Sequence, residues 1–69
     1  MAQEYKLTNG DGYFTVMDEV DLKNGRKWKT VVLFTSIGTT KFNDIIIMPE
    51  DDEALIVKAL AEKLKLDIN

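Results

Sequence analysis

Only one stretch of this chain carries a helical repeat, and it comes last. Ile56, Val57, Leu60, Ala61 and Leu64 recur at the three- and four-residue spacing of a helix face, with Lys58, Glu62 and Lys65 on the wet side. Everything before it reads as alternating segments separated by turns. This order predicts an α+β domain spanning residues 1–69, a four-stranded antiparallel sheet (β-β-β-β-α) packed by one C-terminal helix. A single helix covers one face of a sheet, so the other face is expected to stay open.

The strand segments are Glu4 to Thr8, Tyr13 to Leu22, Arg26 to Ser36 and Lys41 to Met48. The turns between them are Asn9-Gly10-Asp11-Gly12, Lys23-Asn24-Gly25 and Ile37-Gly38-Thr39-Thr40, rich in residues that tolerate positive φ. Pro49-Glu50-Asp51-Asp52-Glu53 reads as the helix start, with proline in the first helical position and acids complementing the positive end of the dipole. Lys63 and Lys65 complement the other end, and the tail Leu66-Asp67-Ile68-Asn69 is apolar enough to dock.

Register in the central hairpin follows from pairing chemistry. A two-residue Asn24-Gly25 loop places Val20 opposite Lys29 and Asp21 opposite Trp28, a poor match. A three-residue loop with Gly25 left-handed pairs Phe14–Phe34, Val16–Val32, Asp18–Thr30 and Val20–Trp28 on one face. The other face then pairs Tyr13–Thr35, Thr15–Leu33, Met17–Val31, Glu19–Lys29 and Asp21–Lys27. The first face is expected to form the core. Met17, Val31 and Leu33 on the second are expected to form an apolar patch that serves a subunit or ligand contact.

At 69 residues the core is thin, and the chain has no cysteine and no histidine. Disulfides are excluded, and zinc, haem and iron–sulfur sites lose their usual ligands. No cofactor or metal is expected, which leaves oligomerisation as the means of stabilising so small a core. Leu55 and Ala59 widen the apolar arc of the helix and, with Met17, Val31 and Leu33, are the expected homodimer contacts. No apolar run is long enough to span a membrane and the N-terminus lacks a signal pattern, so a cytoplasmic location is expected.

Net charge is −3, divided unevenly: residues 1–43 sum to +1 and residues 44–69 to −4. An acidic total argues against indiscriminate nucleic-acid binding but leaves room for a local basic patch. Catalytic chemistry finds little support. There is no nucleophile–base pair, no phosphate-binding glycine loop, and the turn at Asn9 lacks the ligand pattern of a calcium loop. The acids of Glu50 to Glu53 point about 100° apart on a helix and do not converge on one ion. No enzyme activity is expected.

The most suggestive cluster is Lys23, Arg26, Lys27, Trp28 and Lys29, extended by Lys41. Cations beside an aromatic are the chemistry of single-stranded nucleic-acid binding. The element order, together with Asp44-Ile45-Ile46-Ile47-Met48-Pro49-Glu50, Ala54-Leu55 and Leu60, resembles the positive cofactor four family of transcriptional coactivators. The strand Lys27-Trp28-Lys29-Thr30-Val31-Val32 is similar to one of that family's inner strands. The resemblance implies a small single-stranded-DNA-binding protein that dimerises through its helices. It also implies backbone contacts at Lys27, Lys29 and Lys41 and a stacking role for Trp28. The leading expectation is a non-catalytic homodimer binding single-stranded nucleic acid through its sheet. The alternative is a protein–protein interaction module, a small inhibitor or adaptor, using the acidic helix start and the open apolar patch.

Overall fold

The computed structural model describes residues 3–69. Strands β1 (Glu4–Lys6), β2 (Gly12–Asp21), β3 (Arg26–Thr35) and β4 (Gly38–Ile47) are followed by helix α1 (Glu53–Lys63). The strands pair in sequence order as one antiparallel meander, β1-β2-β3-β4. The expected α+β arrangement is the one observed.

The central register is one residue away from the expected one. Asp21 pairs with Arg26, so the loop is four residues, Leu22 to Gly25. Gly25 is left-handed as expected (φ 72°), but its N–H donates to the Asp21 carbonyl at 2.8 Å and closes a wider turn. Two side chains hold that turn open. Asp21 Oδ1 accepts from the Lys23 N–H and Asn24 Oδ1 accepts from the Arg26 N–H, each at 2.9 Å. Such side-chain-to-backbone bonds satisfy loop donors that the tighter loop would leave to water.

One residue of slip turns every β3 side chain to the other face. Phe14 now lies opposite Leu33, Val16 opposite Val31 and Tyr13 opposite Phe34. Val31 and Leu33, expected on the open face, lie on the helix side. Val32, Trp28 and Phe34 take the open face. The helix-side core joins Leu7, Phe14, Val16, Val31 and Ile47 to Val57, Leu60 and Ala61.

β4 needs a correction of its own phase to join that core. Thr30 pairs with Ile46 but Val31 pairs with Phe42, so Asn43, Asp44 and Ile45 bulge out of the ladder. Phe42 and Ile47 are an odd number of residues apart and would face opposite ways in a regular strand. The bulge puts both under the helix, with Ile47 fully buried.

The helix begins later than the sequence suggests. Pro49 serves a turn in which the Asp51 N–H donates to the Met48 carbonyl at 3.0 Å. The Met48 N–H returns a bond to Asp51 Oδ2 at 2.9 Å. Proline is as well suited to the second position of such a turn as to a helix start. Asp52 is the N-cap, accepting from the Leu55 N–H, and only Glu53 of the acidic run lies in the first turn.

At its other end the helix closes with Lys65 left-handed (φ 59°). The Leu66 N–H donates to the Ala61 carbonyl and the Lys65 N–H to that of Glu62. The chain then reverses, and the tail docks as expected. Ile68 bridges Leu7, while Thr8 and Asn69 bond across to Asp67 and Lys6. This tail pairs with Lys6 at the end of β1 and with the Leu7–Thr8 segment that follows it.

Eleven helical residues reach about 16 Å, whereas ten-residue strands reach about 33 Å. The β2–β3 hairpin therefore runs on past the helix, which leaves Val20 and Leu22 exposed even on the helix side.

Two substitutions check these backbone features. A side chain at Gly12 would bring its Cβ to 2.1 Å from the Phe34 carbonyl oxygen, so Gly12→Ala is expected to cost about 2 kcal/mol in chemical denaturation. Lys65→Gly relieves the left-handed strain and is expected to add about 0.5–1 kcal/mol in the same assay.

Candidate interaction surface

The sheet face turned away from the helix is built by alternation from all four strands. β1 contributes Glu4 and Lys6. β2 contributes Tyr13, Thr15, Met17, Glu19 and Asp21, and β3 contributes Arg26, Trp28, Thr30, Val32 and Phe34. β4 adds Thr39 and Lys41 before its bulge and Ile46 after it. Small β-branched residues floor the centre: Thr15, Thr30 and Val32 are all buried beneath larger neighbours.

Aromatic and charged groups stand around that floor. Tyr13 and Phe34 stack with ring centroids 5.1 Å apart. Met17 and Ile46 are about half exposed, at 45% and 52%. A groove of about 400 Å³ runs between Asp21, Arg26, Trp28, Ile46 and Met48. A second opening of about 620 Å³, beyond the Tyr13–Phe34 pair, is bordered by Lys6, Asp11 and Ser36, with the Ser36 hydroxyl donating to Asp11 at 3.0 Å.

Glu19 organises the middle of the face. Its Oε1 accepts from the Lys41 Nζ at 2.7 Å and its Oε2 from the Trp28 indole N–H at 3.1 Å. One carboxylate of β2 thus ties side chains of β3 and β4. The Lys41 hydrogen bond holds the Glu19 carboxyl below its ordinary value of 4.5, against an opposing push from desolvation and with smaller help from Thr30 and Trp28.

A similar arrangement exists on the helix side. Glu53 at the helix start accepts from the Tyr5 hydroxyl at 2.8 Å and from the Lys29 Nζ at 3.2 Å. Burial, then the bond to Glu53, pushes the Tyr5 phenol up to about 12, so it remains a donor throughout the neutral range.

The cations expected to converge on nucleic acid are divided among these places. Lys23 is exposed in the hairpin loop. Arg26, Trp28 and Lys41 share the open face. Lys27 and Lys29 point to the helix side, where Lys29 is held by Glu53. Lys41 is held by Glu19. The expected subunit contacts are divided too. Met17 is on the open face, Val31 is fully buried in the core, and Leu33 packs against that core. Leu55 and Ala59 lie exposed on the outer side of the helix. Tyr13, Phe34, Ile46 and Glu19 come together on the open face only in the observed register, and the sequence signal for it was the pair of turn-forming side chains Asp21 and Asn24.

The in-register residues of the open face include three acids, Glu4, Glu19 and Asp21, and three cations, Lys6, Arg26 and Lys41. These paired residues sum to zero, and the exposed Asp44 of the bulge, next to the core-packed Ile45, brings the face to −1 in a chain of net charge −3. Among the described residues no buried side-chain polar atom lacks a hydrogen-bond partner, and no three acidic, histidine or cysteine side chains gather to hold a metal ion. Among the same residues, no helix is long and apolar enough to cross a membrane. Comparison with protein-family models, with curated proteins and with solved structures finds no match for this chain.

The Glu19 contacts have a pH signature. Because its folded-state pKa is depressed, its contribution to stability is complete above about pH 4.5 and is lost as the pH falls through the lower, folded value. Trp28 is the sole tryptophan and donates to this carboxylate. Its emission is expected to titrate below the ordinary glutamate range, and Glu19→Gln is expected to flatten that transition.

Proposed function

We propose that this chain is a non-catalytic protein-interaction module that docks through the open face of its sheet. The observation that carries the reading is an uncovered sheet face, rich in Trp, Tyr, Phe and Met, whose formal charges nearly cancel. Protein interfaces are enriched in aromatic residues, Met and Arg at their centres and depleted in unpaired charge. Trp28 beside a groove, with Arg26 at its rim, has the character of an anchor pocket. Nucleic-acid affinity, by contrast, comes first from cations that neutralise phosphates. Lys41 on this face is already paired with Glu19, Lys29 is on the other face with Glu53, and Lys27 points away.

A second reading keeps single-stranded nucleic acid as the ligand. Tyr13, Phe34 and Trp28 lie on one face with Lys6, Arg26 and Lys41 around them, which is the layout of a base-stacking platform. The resemblance to the positive cofactor four family points the same way. For a phosphate to use Lys41 it would have to displace the Glu19 carboxylate.

One pair of measurements separates the two. In a low-salt titration with oligothymidylate, the interaction reading expects no binding. Binding that weakens steeply with added salt would instead establish the nucleic-acid reading. In affinity capture, the interaction reading expects a discrete protein partner. Truncating its anchor by Trp28→Ala is expected to weaken that capture about 30-fold, the effect of losing a hot-spot residue of about 2 kcal/mol.

A further inference from the structure

We infer that the outer edge of β4 is a second binding surface, which takes an extended, lysine-bearing peptide segment as a fifth strand of the sheet. It stands apart from the docking reading above, because it uses backbone groups of the edge rather than side chains of the open face.

The backbone supplies the first argument. β4 ends the strand order, and among the described residues no strand pairs with its outer side. Thr35 and Gly38 flank a loop of two residues, and only a pair that exchanges both hydrogen bonds closes a loop that short. Bonded and non-bonded pairs alternate from there along the ladder. Gly38, Thr40 and Phe42 bond inward to β3, so Thr39 and Lys41 turn their N–H and carbonyl groups outward. The result is a row of two donors and two acceptors along residues 38–42, about 17 Å of regular strand. The group that matches such a row is an extended peptide backbone.

The two sides of the sheet are treated differently. Beside β1 the chain uses its own tail, with the Asn69 N–H donating to the Lys6 carbonyl at 2.9 Å and Ile68 bridging Leu7. Beside β4 no such segment lies among the described residues.

Proteins blunt an open edge with charges, bulges or proline. Here the bulge is confined to residues 43–45 and leaves residues 38–42 in register. The one charge in that stretch is Lys41, and its ammonium is drawn back across the sheet to Glu19 at 2.7 Å. Thr39 and Thr40 are exposed, and threonine favours a strand. The stretch therefore carries no device that repels a neighbouring strand.

Charge sets the composition of the segment. Asp44 is exposed just beyond this stretch and joins no ion pair among the described residues. Residues 44–69 together carry −4. Every strand pair in this sheet is antiparallel, and in a fifth pair of that kind the N-terminal end of the peptide lies beside Asp44. Lysines at that end complement Asp44, and β-branched residues beside Thr39 and Lys41 complete the pairing.

Amide hydrogen exchange of the full chain with the capped probe peptide Lys-Lys-Thr-Val-Thr-Val-Thr tests this. At about 1 mM peptide, exchange at the Thr39 and Lys41 amides is expected to slow about fivefold or more. The Gly38, Thr40 and Phe42 amides, already bonded to β3, are expected to change little. The same peptide N-methylated at both valines is expected to lose the effect, and Asp44→Lys is expected to weaken binding about fivefold. No slowing, slowing that survives N-methylation, or binding indifferent to Asp44→Lys overturns the inference. So does slowing of the same amides on concentrating the chain alone, which puts a second copy on the edge. The methylated peptide reads the edge and Trp28→Ala reads the open face, so the two readings fail separately.

Discussion

Everything on this sheet depends on the register of the β2–β3 hairpin. Side chains alternate between faces, so the pairing of Asp21 with Arg26 decides which β3 residues lie under the helix and which meet solvent. The loop accommodates that choice, since Asp21 and Asn24 turn their side chains onto the backbone of its four residues. Cross-strand chemistry alone discriminates weakly here, because Val31 and Val32 are interchangeable as core residues. The partners that break the tie come from elsewhere in the chain. Lys29 finds Glu53 of the helix, and Trp28 and Lys41 find Glu19.

Two carboxylates, one on each side of the sheet, make those long-range choices concrete. Glu53 draws together β1, β3 and the helix start; Glu19 draws together β2, β3 and β4. Both pairs are partly exposed, and exposed ion pairs contribute little energy singly. Their value here is in specifying which face each strand presents. The β4 bulge acts to the same end. By absorbing Asn43, Asp44 and Ile45 it lets Phe42 and Ile47 share the helix side, which a regular strand forbids.

The functional reading follows from this parity. Had the hairpin closed with three loop residues, Val31 and Leu33 would have surfaced beside Met17. Lys29 would have joined Glu19, and the open face would have lost Trp28. In the observed register Trp28, Phe34 and Tyr13 share that face, and acids and cations nearly balance on it. The paired lysines and near-balanced charge are what support the proposal of a protein rather than a phosphate ligand.

The number and order of strands, the position of the helix, the left-handed Gly25 and the docking of the C-terminal tail were all legible in the sequence. Each rests on local periodicity or on conformations that few residues adopt. The helix start was misplaced because Pro49 suits a turn and a first helical turn equally well, and only the reciprocal bonds between Met48 and Asp51 distinguish them. The site was less legible than the fold. Residue types alone marked Lys23, Arg26, Lys27, Trp28, Lys29 and Lys41 as one cluster, but neighbours in a strand lie on opposite faces and a charge is available only where no carboxylate reaches it. By itself the sequence determined that one helix would leave one sheet face open. Which side chains stand on that face was decided by tertiary structure, because a one-residue register choice costs little locally and is settled by contacts with β4 and the helix.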